Sequence, residues 1–272
     1  MSEAVEGAAR SAERRRRVLT LVVLAANGLF IVLAVCLRVF WIEAFKIPSP
    51  GMSPTLVPGD HIFVSKMAYG WLEHTVPSRG DAIVFRFPER TNQDFIQRVI
   101  GLPGDRISVK GGAVYINDWK VPSCSAGKVR MLGVGGSHEG ELFTEFLSDH
   151  AYIVFHDSTY GPLADTERGP YDVAPGEVFM LGDNRENSYD SRLWFEGRGG
   201  GVPLANIKGR ASIIWMSFAP NGIAWSRVGM SLLDPPPCPE QFSQPTCQAL
   251  ARCLTHRPPA SATHPPSQAP AR

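Results

Sequence analysis

Three short segments of this sequence hold most of the side chains that could do chemistry together. The first runs Phe45-Lys46-Ile47-Pro48-Ser49-Pro50-Gly51-Met52-Ser53-Pro54-Thr55-Leu56 and is followed by Gly59-Asp60. Its prolines impose an extended backbone with few free donors, and taken alone it reads as a stiff stalk. The second, Phe95-Ile96-Gln97-Arg98-Val99-Ile100-Gly101-Leu102-Pro103-Gly104-Asp105, is a strand running into a Gly/Pro turn, which an ordinary hairpin corner would also resemble. The third is Gly182-Asp183-Asn184-Arg185-Glu186-Asn187-Ser188-Tyr189-Asp190-Ser191-Arg192. Its turn formers suit a solvated loop, yet alternating acids, amides and arginines can also lock into charge-assisted pairs that fix a buried surface.

Short apolar runs bounded by Gly, Pro and Asp must position these segments: His61 to Ser65, Ala82 to Phe87, Phe95 to Ile100, Arg106 to Val109, Val114 to Asn117, Tyr152 to His156, Glu177 to Leu181 and Ala211 to Met216. Their length and their β-branched or aromatic content favour strands. Gly111-Gly112 supplies a two-residue hairpin turn, which sets Val109 opposite Val114 and Ile107 opposite Ile116 on one buried face. The expected fold class is therefore mostly β. Between Trp119 and Ala174 the pattern loosens around the Gly-rich stretch Gly133 to Gly140, with a short helix expected near Glu141 to Leu147; this reads as a smaller inserted subdomain. From Asp234 the composition turns to Pro, Ser, Ala and Gln, which predicts a flexible tail over 234–272.

Charge narrows the function classes. With 27 basic and 26 acidic side chains the net charge is +1, so no global field attracts nucleic acid. The distribution is uneven, because Arg14 to Arg17 stand directly before the apolar run Val18 to Leu37. That run is long enough for a transmembrane helix, expected over 18–40, with a basic cytoplasmic segment over 1–17 and a β domain over 41–233 outside the cytoplasm. A cleavable secretory signal has the same basic start, but no small-residue cleavage pattern follows the run before Arg38. Trp41 and Phe45 suit the headgroup level, making membrane lipid an expected partner. The cysteines show no metal-binding spacing, so neither a metal nor a cofactor is expected. The pairing of Cys124, Cys238, Cys247 and Cys253 is left undecided.

In order and spacing, the three segments resemble those of the type I (leader) signal peptidases. In that family a Ser-x-Ser-Met-x-Pro-Thr-Leu segment follows a membrane anchor. A strand bearing Lys-Arg then leads into Gly-Leu-Pro-Gly-Asp, and a Gly-Asp-Asn-Arg-Asp-Asn-Ser-x-Asp-Ser-Arg box comes later. The likeness covers roughly residues 14 to 230 and implies a β-sheet core, location in a bacterial inner membrane, and serine endopeptidase action on signal peptides of exported preproteins. It places Ser49 at the family's side-chain contributor to the oxyanion hole, Pro48, Met52 and Pro54 along the substrate, and Arg98 after the general base. Ser188 falls at the serine that orients that base, and Asp190 and Arg192 at a supporting ion pair, with Asp183 in the same box.

The resemblance breaks at the reacting atoms. The nucleophile position is Gly51 and the lysine base position is Gln97. A Ser-Lys dyad needs a hydroxyl and a desolvated amine able to take its proton. Glycine has no oxygen, and a carboxamide takes up no proton near neutral pH. Ser49 and Ser53 each lie two residues from Gly51, a displacement of about 6–7 Å in extended chain, against the roughly 3–3.5 Å that attack requires. Lys66 and His61, the candidate bases, fall on another strand. The expectation is a non-cleaving pseudoenzyme that binds signal peptides, and an active signal peptidase or the secretion machinery is a further candidate partner. The alternatives are an active peptidase using Ser49 or Ser53, and a structural or assembly protein on the same fold.

Overall fold

The hydrophobic run near the N-terminus forms part of one long helix, α1 (Ser2–Phe40). The computed structural model describes residues 2–69, 75–133, 136–158, 167–233 and 237–265. Within α1, Arg14–Leu33 is long and apolar enough to cross a membrane, and its large apolar side chains are exposed. At about 1.5 Å per residue, 20 residues reach roughly the 30 Å of a hydrocarbon core. Its polar interruptions each make one hydrogen bond to the helix backbone: Thr20 Oγ1 donates to the Arg16 carbonyl at 2.9 Å and Asn27 Nδ2 to the Val23 carbonyl at 2.8 Å. Each bond lowers the cost of carrying that polar group into an apolar setting.

Ala44–Arg272 forms a second unit, mostly β. Its strands are β1 (Ile42–Lys46), β2 (Asp60–Ser65), β3 (Ala82–Phe87), β4 (Arg90–Gly101), β5 (Arg106–Lys110), β6 (Ala113–Ile116), β7 (Trp119–Lys120), β8 (Ser123–Gly133), β9 (Gly136–Leu147), β10 (His150–Asp157), β11 (Glu167–Asp172), β12 (Glu177–Leu181), β13 (Val202–Pro203), β14 (Ile207–Ala219) and β15 (Gly222–Ile223). Two short helices, α2 (Gln244–Thr255) and α3 (Ala260–Thr263), follow. The main sheet has the order β1-β2-β14-β3-β4-β12-β13, with β15 pairing to β14. Antiparallel pairing places Ala82 beside Arg98 and Ile83 beside Gln97, so the segment carrying Gln97 is an interior strand held from both sides. On the two faces of this sheet lie clusters built on Ile62, Val64, Val84 and Ile214, and on Ile83, Phe85, Val99 and Trp194.

The Gly111-Gly112 hairpin has the expected register, with Ile107 opposite Ile116 and Val109 opposite Val114, all four at most 3% exposed. Both glycines have positive φ, 54° and 77°, as a two-residue turn of this twist requires. The hairpin belongs to a sheet of order β11-β5-β6-β7, which takes strands from both ends of the loosely patterned stretch. Between them, residues 123–133, 136–147 and 150–157 form a sheet of order β10-β9-β8. There the expectation of a helix over Glu141 to Leu147 is corrected, because these residues are the second half of β9. Thr144, Glu145, Phe146 and Leu147 are all buried, so the strand is covered on both faces and its polar/apolar alternation disappears.

The flexible tail is corrected over residues 237–265, while residues 234–236 and 266–272 of that expectation lie outside the described residues. Disulfides Cys124–Cys253 and Cys238–Cys247 tie the C-terminal segment to itself and to β8. Phe242 and Leu250 then join Ala126, Met131, Leu142, Ile153 and Phe155 in one buried cluster. Covalent closure reduces the entropy lost on ordering so poor a sequence, which composition alone does not register. Ser243 caps α2, its hydroxyl accepting from the Thr246 amide.

Candidate functional site

After β1 the chain is pinned by two hydrogen bonds, from the Ile47 amide to the Asp60 carbonyl at 2.8 Å and from the Gly59 amide to the Ile47 carbonyl at 3.0 Å. It then turns through one short 3₁₀ segment, Pro50–Met52, closed by the Ser53 amide on the Pro50 carbonyl. Between this turn, β4 and the loop after β12 opens a groove of about 550 Å³. Apolar groups dominate its wall: Phe45, Ile47, Pro48, Met52, Val84, Phe95, Ile96 and Leu193. Gly51, Gln97, Ser49 and Ser188 line the same groove, so residues 46 positions apart in the sequence meet there (Gly51 and Gln97).

Gly51 has an ordinary backbone, outside the left-handed region. A Cβ placed on it would sit 3.6 Å from Ser188 Oγ and 3.7 Å from the Asn187 carbonyl, normal contact distances. Neither space nor conformation demands glycine there. Gln97 is 4% exposed, and its Nε2 donates to the Tyr189 carbonyl at 2.8 Å. The groove therefore offers neither a hydroxyl at position 51 nor an amine at position 97.

Behind the lining, the remaining predicted residues form buried ion pairs. Arg98 grips Asp183 with two bonds, Nε to Oδ1 at 2.7 Å and Nη2 to Oδ2 at 2.5 Å, while Thr55 Oγ1 donates to Asp183 Oδ2 at 2.6 Å. Burial works to lower the basicity of the Arg98 guanidinium, but the Asp183 carboxylate outweighs it and raises that basicity above the ordinary value. Arg98 also lies over the Tyr152 ring, 4.2 Å from its centre. Arg192 pairs with Asp190 at 2.8 Å, and Asp190 Oδ2 accepts the Gly182 amide at 3.0 Å. The Asn184 amide reaches the Gly51 carbonyl at 3.1 Å, joining the box to the turn. Gly182 makes that approach possible, because a Cβ there would collide with Ser188 Oγ and the Gly51 carbonyl.

A model of the family described as "Signal peptidase, peptidase S26" matches residues 19–216. The chain is 38% identical over 224 residues to a signal peptidase I of Pseudomonas fluorescens, covering 74% of this chain and 75% of that protein. A signal peptidase I of Pseudomonas aeruginosa is also 38% identical, over 222 residues, with the same coverage. One from Rickettsia bellii is 32% identical over 220 residues, 70% of this chain and 71% of the other. This chain belongs to the signal peptidase family. The C-terminal segment carrying α2 lies beyond the part that the family model matches.

Set out against this signal peptidase fold, the predicted positions divide into three groups. Gly51, Gln97, Ser49, Ser188, Pro48 and Met52 meet at the groove; Arg98, Asp183, Asp190 and Arg192 brace it from behind; Pro54 is buried outside the lining. Ser53 also lies outside the lining, 4% exposed, its hydroxyl donating to the Leu56 carbonyl at 3.2 Å. His61 packs edge-on against Trp215 and Phe218, and neither it nor Lys66 lines the groove. Sequence reasoning missed the pair between Arg185 and Glu145 of β9, two bonds of 2.8 and 2.6 Å with both side chains at most 4% exposed. It also missed Glu186, which meets His156 Nδ1 at 3.1 Å and accepts the Asp157 amide at 2.8 Å. The run of polar residues in the box signalled a need for partners, but nothing in the sequence pointed to β9 and β10 as their source.

Proposed function

We propose that this signal peptidase family protein binds signal peptides of exported preproteins in its groove and does not hydrolyse them. One observation carries the reading: Gly51 and Gln97, the positions that resemble the nucleophile and the base, line the same apolar groove while the ion pairs around them are complete. Hydrolysis through such a dyad needs an attacking oxygen and a group to take its proton, and these side chains supply neither. Binding an extended peptide relies on backbone hydrogen bonds and apolar pockets, which survive the loss of both.

The substitute nucleophiles fare poorly by geometry. Ser53 is turned away into its own hydrogen bond, and Ser49 lines the groove without Lys66 or His61 beside it there. Lys46 does line the groove, but it is solvent-exposed, the opposite of the desolvated setting that a lysine base needs. In the cell, we place the N-terminus in the cytoplasm, because Arg14 to Arg17 precede the apolar run, and the β domain beyond the membrane. The two disulfides suit that oxidising side. Membrane lipid, an active signal peptidase and the secretion machinery are the partners this location offers.

Full-length protein in detergent, given a fluorescent peptide with Ala-x-Ala before its cleavage position, is expected to raise the peptide's anisotropy while leaving it intact. A protein that neither binds this peptide nor crosslinks to it through the 48–56 segment would instead favour a structural role on the same fold.

A further inference from the structure

Gly51, Asn187 and Ser188 all line the groove, and the backbone of Gly51 would accept any side chain. None is there, and the wall has not closed over the gap. Apart from its chain neighbours, the three heavy atoms nearest to where a Cβ would stand are Ser188 Oγ at 3.6 Å, the Asn187 carbonyl oxygen at 3.7 Å and Ser188 Cα at 3.8 Å. Position 51 therefore leaves a notch in the lining with room for a further heavy atom. The two atoms closest to it are oxygens. The carbonyl can only accept, whereas the Ser188 hydroxyl can donate or accept. Ser188 is 7% exposed, and Gln97 turns its amide to the Tyr189 carbonyl at 2.8 Å rather than to Ser188. An aliphatic group in the notch would press carbon against both oxygens and shield them from water, which costs free energy. A hydroxyl of the same size, advancing by less than about 1 Å, reaches hydrogen-bond distance and can donate to the Asn187 carbonyl.

Resting on the binding role above, we infer that Gly51 is a specificity-determining residue: its notch selects peptides that carry serine, in place of alanine, as the last residue of the Ala-x-Ala triplet. That residue is the one beside position 51 when the peptide lies with its cleavage position at the vacant nucleophile site. The test uses three fluorescent peptides that differ only there, bearing alanine, serine or α-aminobutyrate, the last matching serine in size without its hydroxyl. Each is titrated by anisotropy against the full-length protein and its Gly51→Ala variant in detergent. The unaltered protein should bind the serine peptide about fivefold tighter than either of the others, the worth of one added hydrogen bond. In Gly51→Ala a methyl group fills the notch at ordinary contact distances, so the alanine peptide should change by no more than about twofold while the serine advantage disappears. Equal binding of the serine and α-aminobutyrate peptides by the unaltered protein would overturn the inference and leave the binding role intact. So would a serine advantage that persists in Gly51→Ala, or loss of the alanine peptide in that variant, which would mean that the peptide backbone and not a side chain needs the space. Failure of all three peptides to bind the unaltered protein would overturn both. The comparison of serine with α-aminobutyrate needs no variant, so it decides even if Gly51→Ala does not fold.

Discussion

Replacing Gly51 by serine and Gln97 by lysine in the same molecule puts a hydroxyl and an amine where the groove has neither. At position 51 the new Cβ meets its nearest neighbours at 3.6 to 3.8 Å, so the serine enters without displacing the chain. The expected change in stability is within about 1 kcal/mol. At position 97 the exchange gives up a hydrogen bond to the Tyr189 carbonyl worth about 1 kcal/mol, although the amine can donate to the same oxygen. Because the site is 4% exposed, burial lowers the basicity of that amine and favours the neutral form that acts as a base. Members of a catalytic unit act together, and losing one costs on the order of 10⁶ in turnover. Each single variant should therefore stay at the background of the unaltered protein, and the double variant should exceed it by at least about 10³, with turnover rising as pH rises and the amine loses its proton. The assay is initial-rate cleavage of an Ala-x-Ala preprotein in detergent, with products identified by mass. A double variant that folds and binds peptide yet stays at background would refute the claim that the groove is otherwise competent. Activity in Gly51→Ser alone would show that some other group serves as the base.

Two further perturbations test the supports of the groove. Arg185→Met leaves Glu145 buried without its cation and should cost about 3–5 kcal/mol in denaturant unfolding, most of it recovered when Glu145→Leu is added. Burial works to raise the Glu145 carboxyl, but Arg185 outweighs it and holds the group below its ordinary value, so the pair's contribution is full above the unfolded carboxylate range and is lost as pH falls through the folded value. In Arg185→Met that slope should reverse, stability falling as pH rises, which unfolding midpoints between about pH 3 and 7 would show. Separately, opening Cys124–Cys253 by Cys124→Ser and Cys253→Ser should lower stability by about 2–5 kcal/mol and remove hydrogen-exchange protection from Gln244–Thr255 ahead of the main sheet. Unchanged protection of α2 would show that packing of Phe242 and Leu250 suffices to hold it.

What could be read from the chain depended on whether a signal was local. The Gly111-Gly112 turn and the flanking Ile and Val residues fix a register through neighbours a few positions apart, and the hairpin follows that pattern. The second half of β9 carries no alternation, because both of its faces are covered, and its Glu145 has its partner 40 residues away in the sequence. Composition suggested flexibility beyond residue 234, whereas two cross-links hold α2; four cysteines allow three pairings, and sequence alone does not choose among them. At the groove, residue types were legible from the three segments and their resemblance to a family. The bonds between them were not. Arg98 and Asp183 stood out separately, but their pairing with each other, with Thr55 and with the Tyr152 ring is a product of the tertiary fold.

The most direct measurement of the central claim is mass spectrometry of a signal-peptide-bearing preprotein incubated with the unaltered full-length protein in detergent, with binding of the preprotein recorded in the same sample. The account predicts a bound and intact preprotein after a time in which an active signal peptidase has processed it fully. A product cut after Ala-x-Ala, formed by the unaltered protein and lost in Ser49→Ala, would contradict it.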